Sequence, residues 1–374
     1  MLLEQILDLL FNANLIVLVA AASFLVIETA LALTGFRKSY ATRLWILTAS
    51  LSFAALLPLL SHLGSLAHLR AGPHISDILA TQYLKGNISI SAVNFDNLLS
   101  AKASAFQALH QGTNYWVIAV VVAVFAGIFG RIAYIGLNVL RIKKLLENGH
   151  KIRSTKAVEI IVSSETNVPF TTRSFRKFFV VLPESLLSDY KTLSIALGHE
   201  FQHIRQRDVT IEFCLAVFSP LFVFNPGFWI MSQKLRKLRE HTCDITYLER
   251  SHVSARDYAN ALLNVAKRAT LSHRENRIGS LSVPLLGRGI FFRRTTKSQL
   301  AQRILAFAEN DNKKPHKLFA ASLMVLGSML MLFGASAFQP NRGWSHDRIM
   351  ISSVANLERL SLRNQAVALA SRSE

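Results

Sequence analysis

The sequence predicts a mostly α-helical, polytopic membrane protein. It has four spans, a broken apolar stretch that re-enters the bilayer or lies on it, and an α+β domain carried between the third and fourth spans. Three observations predict this. Hydrophobic residues make up 51% of the 374 positions, above the usual share for a water-soluble enzyme of this size. Four stretches hold nearly uninterrupted apolar runs of about 20 residues, the length a helix needs to cross a hydrocarbon layer about 30 Å thick. Lys plus Arg outnumber Asp plus Glu by 42 to 23, and the excess collects in particular loops.

The spans are read at residues 14–35, 44–64, 115–137 and 318–338. Glu4 and Asp8 stand ahead of the first, where a cleavable signal would carry Lys or Arg, and its apolar run is too long for one, so it is expected to stay as a span. Arg37, Lys38 and Arg43 separate spans one and two. Arg141, Lys143, Lys144, Lys151 and Arg153 follow span three, and Lys313, Lys314 and Lys317 precede span four. Positive residues of short loops remain in the cytoplasm, which places both termini outside. The resulting division is a membrane region at 1–138 with an outer loop at 66–114, a cytoplasmic domain and linker at 139–317, the fourth span at 318–338, and a short extracytoplasmic tail at 339–374.

Residues 141–317 alone hold 30 Lys and Arg against 15 Asp and Glu. Topology and an anionic inner leaflet account for that surplus, and no nucleic-acid recognition motif accompanies it. Membrane lipid and protein are therefore the expected partners, and direct nucleic-acid binding is not. Cys214 and Cys243 both fall in the segment placed in the cytosol, so neither is expected to be bridged, and their spacing makes a poor zinc site. Glu28 and Arg131 are the charged residues inside the spans. Such groups are costly in lipid, and an ion pair between spans one and three is weighed against snorkelling of Arg131.

Within the cytoplasmic segment, residues 158–162 and 178–182 are short β-branched and aromatic runs that read as strands. Residues 193–207 read as a helix with Leu193, Leu197, Phe201 and Ile204 on one face and Asp189 or Ser194 at its start. Residues 209–231 are apolar but interrupted by Pro220, Asn225, Pro226 and Gly227, which favours a broken or re-entrant segment over a straight crossing. Helices are expected at 232–249, 258–269 and 299–308, and 272–297 reads as an exposed linker.

The chemistry is concentrated in His199-Glu200-Phe201-Gln202-His203, an H-E-x-x-H on a predicted helix. Residues four apart share a helix face, so both imidazoles can reach one Zn²⁺ with Glu200 alongside to handle a proton. Glu240 on a second helix completes a His₂Glu set and leaves a fourth position open for water, as a catalytic zinc site requires. Asp244, one turn further on, is placed to accept the second N–H of a liganding histidine, and Asp208 competes for that part. His241 and Tyr247 are the nearest further donors for an oxyanion, and an extended substrate is expected to lie along 178–182.

The order of several motifs resembles a known family. Val168-Pro169-Phe170-Thr171, Val180-Val181-Leu182-Pro183, Gly198 to Asp208, Phe224-Asn225-Pro226, Arg239-Glu240 and Cys243-Asp244 are similar to the peptidase domain of the beta-lactam sensor and antirepressor metallopeptidases. The resemblance implies a zincin-like domain in the bacterial inner membrane with His199, His203 and Glu240 as zinc ligands and Glu200 as the catalytic residue. It also implies activation by a signal and cleavage of a cytosolic transcriptional repressor and of the chain itself; a second copy of the chain, as a homodimer, is a further candidate partner. Arg293 and Arg294 mark a reachable self-cleavage region, beside the plainer reading of a solvated basic run. Only 36 residues follow Phe338, fewer than a penicillin-binding sensor domain needs, so direct beta-lactam sensing is not expected. The alternatives are a membrane quality-control or processing metallopeptidase, and a non-catalytic relay.

Overall fold

The computed structural model describes residues 2–62, 75–112, 114–174, 177–275, 296–308, 317–337 and 346–370. They are mostly helical, with a small sheet, and divide into two units. Arg293 and Arg294 lie outside the described residues.

Helices α1 (Leu2–Leu33), α2 (Tyr40–His62), α5 (Tyr115–Asn148) and α11 (Lys317–Ala337) fall on the four predicted spans. Two of them, at Gln5–Leu33 and Tyr115–Asn148, are long and apolar enough to cross a membrane, and Leu318–Phe333 is a shorter apolar helix. At about 1.5 Å per residue, the 34 residues of α5 outrun a bilayer, and the excess carries Arg141, Lys143 and Lys144 toward the sheet.

One unit comprises residues 1–23, 50–125 and 323–374. In it α3 (Ile75–Leu84) and α4 (Ala92–Gln111), both from the predicted outer loop, pack with α12 (His346–Ala370) from the predicted tail. Ala80, Phe95 and Ile351 are their shared core. Tyr83 stacks on Phe95 at 4.3 Å, and Arg359 pairs with Asp96 at 3.0 Å.

The other unit comprises residues 24–49 and 126–322. Its sheet has β1 (His150–Ser154), β2 (Val158–Ser163), β3 (Phe170–Arg173) and β4 (Phe178–Pro183) in the order β1-β2-β4-β3. β4 runs parallel to β2, with Ile160 opposite Val180, and antiparallel to β3, with Thr171 opposite Val180. Both sides of β4 are therefore paired. This overturns the expectation that a substrate adds along 178–182, because no backbone N–H or C=O row is free there; the open edge beside it belongs to β3.

α6 (Tyr190–Arg205) covers the sheet. Leu193, Leu197 and Ile204 recur at helical spacing and meet Val162, Val180 and Leu182. Asp189 caps it by accepting from the Thr192 N–H at 3.1 Å. The apolar stretch after it is broken as the sequence predicts: α7 (Asp208–Phe218), a 3-10 turn at Ser219–Phe222, then α8 (Pro226–Arg250). Asn225 caps α8 through the Phe228 N–H, and Pro226 occupies the first turn, where a missing donor costs nothing. α9 (Ala255–Glu275) and α10 (Thr296–Ala308) complete a second core around Ile195, Ile245, Tyr258, Ala261 and Phe307.

The two charged residues read inside the spans do not form the ion pair that was weighed against snorkelling. Glu28 does not meet Arg131. It pairs with Arg43 of α2 and Lys234 of α8, while Arg131 donates to the Ser219 hydroxyl at 3.1 Å and lies 5.3 Å from the Trp229 ring. Two cations are thus within reach of one carboxylate on α1, and an aromatic cage takes the arginine. Tyr40, at the start of α2, also stacks on His241 of α8 at 4.8 Å.

Candidate metal centre

Four helices bring the site together. His199 and His203 lie one turn apart on the buried side of α6, and their rings meet edge to face at 4.7 Å. Glu240 projects from α8 so that its two oxygens stand 3.8 Å from His199 Nε2 and 3.7 Å from His203 Nε2. Two donors bound to one zinc at about 2.0–2.1 Å stand roughly 3.3 Å apart in a tetrahedron, so each imidazole–Glu240 pair stands about 0.5 Å wider than that spacing.

The outer nitrogens are committed elsewhere. His203 Nδ1 is 2.8 Å from Asp208 Oδ2, a contact that fixes the ring with Nε2 turned toward Glu240. Arg207, with φ at 61°, is the described non-glycine residue in the left-handed region. That turn swings Asp208 back under the helix it has just left. Asp208 is itself backed by Arg239, whose guanidinium also donates to Glu212 at 2.9 Å.

His199 is held differently from the sequence expectation. Its Nδ1 lies 2.8 Å from the Tyr258 hydroxyl and 3.5 Å from Asp244, and Tyr258 donates to Asp244 Oδ1 at 2.6 Å. Asp244 therefore orients His199 through a phenol on α9. Arg303 of α10 closes the other side, with Nε and Nη2 on the two Asp244 oxygens at 2.8 and 2.6 Å and Nη1 on Glu240 at 3.0 Å. Nothing in the spacing of Tyr258 or Arg303 marks them in advance; Tyr258 reads as one more apolar position of an amphipathic helix.

Charge follows this geometry. Burial alone would push the Glu240 carboxyl up, but Arg303 and the two imidazoles hold it well below the usual carboxylate range. Burial alone would lower both histidines; Cys243 and Glu240 reverse this at His199, which is pushed up to about 10, and Cys243 and Asp208 do so at His203. The pocket thus favours positive charge between these side chains, as a divalent-cation site must.

Cys243 is closer to the centre than its sequence spacing implies. Its Sγ lies 3.6 Å from His199 Nδ1, and the ligand atoms of His199, His203 and Cys243 can all fall within 4.8 Å of one another. It reaches His199 on the Nδ1 side, opposite the nitrogen that faces Glu240. Both cysteines are unbridged, as expected. His241 is buried against Tyr40, and burial lowers its pKa to about 4. Tyr247 packs on Gly198 and Tyr258.

Glu200 sits between the histidines in sequence and is 6% exposed. Its Oε2 accepts from the Thr171 hydroxyl at 2.7 Å, which ties the carboxylate to the open-edge strand β3. Replacing Thr171 by Val keeps the shape and removes that donor. With Glu200 as the base that the H-E-x-x-H motif predicts, the expected result is unchanged metal content with an about tenfold slower cleavage rate, read from single-turnover kinetics, because a misaimed base would lose part of an about 10²–10⁴-fold contribution.

Against this geometry, comparison with known proteins is informative. The family described as BlaR1 peptidase M56 matches residues 9–281, most of the chain. The chain belongs to this family. Regulatory protein BlaR1 from Bacillus licheniformis is a similar relative, 24% identical over 143 residues that make up 36% of this chain and 24% of that protein. The chain thus aligns with about a quarter of that relative's length. The H-E-x-x-H helix lies inside the region that the BlaR1 peptidase M56 family matches.

Gly198, the residue before the H-E-x-x-H motif, is fixed by packing. A Cβ there would come within 2.6 Å of the Tyr247 ring. Gly198→Ala is expected to destabilise the fold by about 1–3 kcal/mol, the usual cost of overpacking, visible as a lower thermal midpoint in detergent.

Proposed function

We propose that the chain is a signal-activated, integral-membrane zinc metalloendopeptidase that cleaves a cytosolic transcriptional repressor and itself. The observation that carries the reading is the convergence of His199 Nε2, His203 Nε2 and Glu240 at 3.7–3.8 Å, with Glu200 held beside them by Thr171. His199, His203 and Glu240 would hold the zinc, and Asp208, Tyr258 and Asp244 would fix the two rings. Zinc, when bound, supplies a Lewis acid and a water acidified to a pKa of about 7.

The chain's own residues supply the rest. Glu200 takes the proton from the attacking water and returns it to the leaving amine. β3 offers its unpaired edge to an extended substrate, whose backbone would hydrogen-bond to residues 170–173 and so run past the Glu200 carboxylate. A strand-adding site selects exposed, extendable segments, such as a linker in a repressor; the region of Arg293 and Arg294 is the proposed place of self-cleavage.

Four crossings with both termini outside are supported by two independent packings. Glu28 and Tyr40, flanking the first predicted cytoplasmic loop, contact α8 of the peptidase unit. The predicted outer loop and the predicted outer tail pack on each other through α3, α4 and α12. Both agree with the charge distribution.

The test uses the full chain in nanodiscs with the repressor encoded nearest its gene, under the activating stimulus. One zinc per chain and a single repressor cut, abolished by chelator and restored by stoichiometric zinc, are expected. Cleavage that survives chelation would overturn the reading.

A further inference from the structure

Arg303 occupies a place that neither the motif nor the ligand set calls for. Its guanidinium grips Asp244 with two parallel hydrogen bonds, Nε to Oδ2 at 2.8 Å and Nη2 to Oδ1 at 2.6 Å. A third bond, from Nη1, takes Glu240 Oε2 at 3.0 Å, and Nη2 lies 3.5 Å from His199 Nε2. Glu240 and Asp244 are one turn apart on α8, so a planar fork set across both fixes their relative rotamers in a way a lysine cannot.

The oxygen that Arg303 takes is Oε2; the other, Oε1, is the one 3.7 Å from His203 Nε2. The oxygen that faces His199 Nε2, Oε2, is thus tethered, while Oε1 stays directed at His203. The contacts also form a closed circuit: His199 Nδ1 to Tyr258, Tyr258 to Asp244, Asp244 to Arg303, Arg303 to Glu240, and Glu240 back to His199 Nε2. It spans α6, α9, α8 and α10. Asp244 is 1% exposed, and a carboxylate so buried needs a counter-charge; Arg303 provides it, as Arg239 does for Asp208 on the other side.

We infer that Arg303 is a positioning residue that makes α10 part of the metal centre, so that metal loading and the docking of α10 onto α8 stabilise each other. The inference rests on the zinc reading of the site. Its consequence is regulatory. By linkage, whatever loosens α10 must loosen the metal, and the reverse. A guanidinium that merely competes with the metal for Glu240 predicts the opposite sign, since loading would then expel α10.

Hydrogen exchange of the full chain in detergent, with and without one equivalent of zinc, separates these. Zinc is expected to slow amide exchange at least tenfold in both α6 and α10. In Arg303→Met the slowing in α6 should persist, while that in α10 is lost. Arg303→Lys, which keeps the charge and the Ile304 and Phe307 packing, should lose most of the α10 effect with an unchanged melting temperature of the metal-free protein. Faster α10 exchange with zinc, or slowing in α6 without any in α10, would overturn the inference. No zinc effect in α6 either would remove the metal reading, and the inference with it.

Discussion

Glu200→Gln is expected to leave one zinc bound per chain and to slow peptide cleavage by about 10³-fold, within the about 10²–10⁴ range of a positioned proton-transfer group. The amide matches the carboxylate in shape and still accepts the Thr171 hydroxyl that holds Glu200 at 2.7 Å, so the surroundings of a side chain that is 6% exposed are preserved. What is lost is the basic lone pair. A factor of 10³ corresponds to about 4 kcal/mol of activation free energy. The polar contacts of Glu200 are to Thr171, and the two histidines keep their partners Asp208 and Tyr258, so metal content and activity should separate cleanly. Elemental analysis beside single-turnover cleavage checks this. A rate within tenfold of the parent would remove Glu200 from the proton-transfer role.

The same side chain marks where sequence reasoning ends. The helix bearing His199 and His203, the strands at 158–162 and 178–182 and the break near Pro226 were all legible, because each is written in local periodicity or in residues with restricted backbone angles. Asp208 was legible only as a competitor to Asp244 for supporting a histidine; that the histidine is His203 comes from the fold. β1 and β3 were not, since a five-residue strand that is exposed throughout and a four-residue edge strand carry too little pattern. Missing β3 placed the substrate on an interior strand and left Thr171 without a role. Tyr258 and Arg303 were hidden for a different reason: they reach Asp244 across 14 and 59 positions, a relation set by helix packing alone. Glu28 was recognised as a charge needing a partner, but two cations stood nearer than Arg131, and only the fold decides between them.

The second large effect concerns which third donor completes the centre. Glu240→Ala is expected to weaken zinc binding by well over the about 10–100-fold that loss of an outer-shell partner costs, because it removes a donor and also frees a cation. Arg303 Nη1 would lose its acceptor while Nη2 stays 3.5 Å from His199 Nε2, leaving a positive charge where a divalent ion must sit. Asp208→Asn, which only disturbs the support of His203, should fall inside that 10–100-fold range. Cys243→Ser is the discriminating comparison, since His199, His203 and Cys243 form a second conceivable set within 4.8 Å. Both Nε2 atoms face Glu240, and Cys243 meets His199 at Nδ1, so the serine variant should bind zinc nearly as tightly as the parent in a competition titration with a chromophoric chelator. Tight binding retained in Glu240→Ala but lost in Cys243→Ser would move the ion to the thiolate side of His199. That side is lined by Tyr258 and Asp244, and His199, His203 and Cys243 would then be the residues that hold the ion.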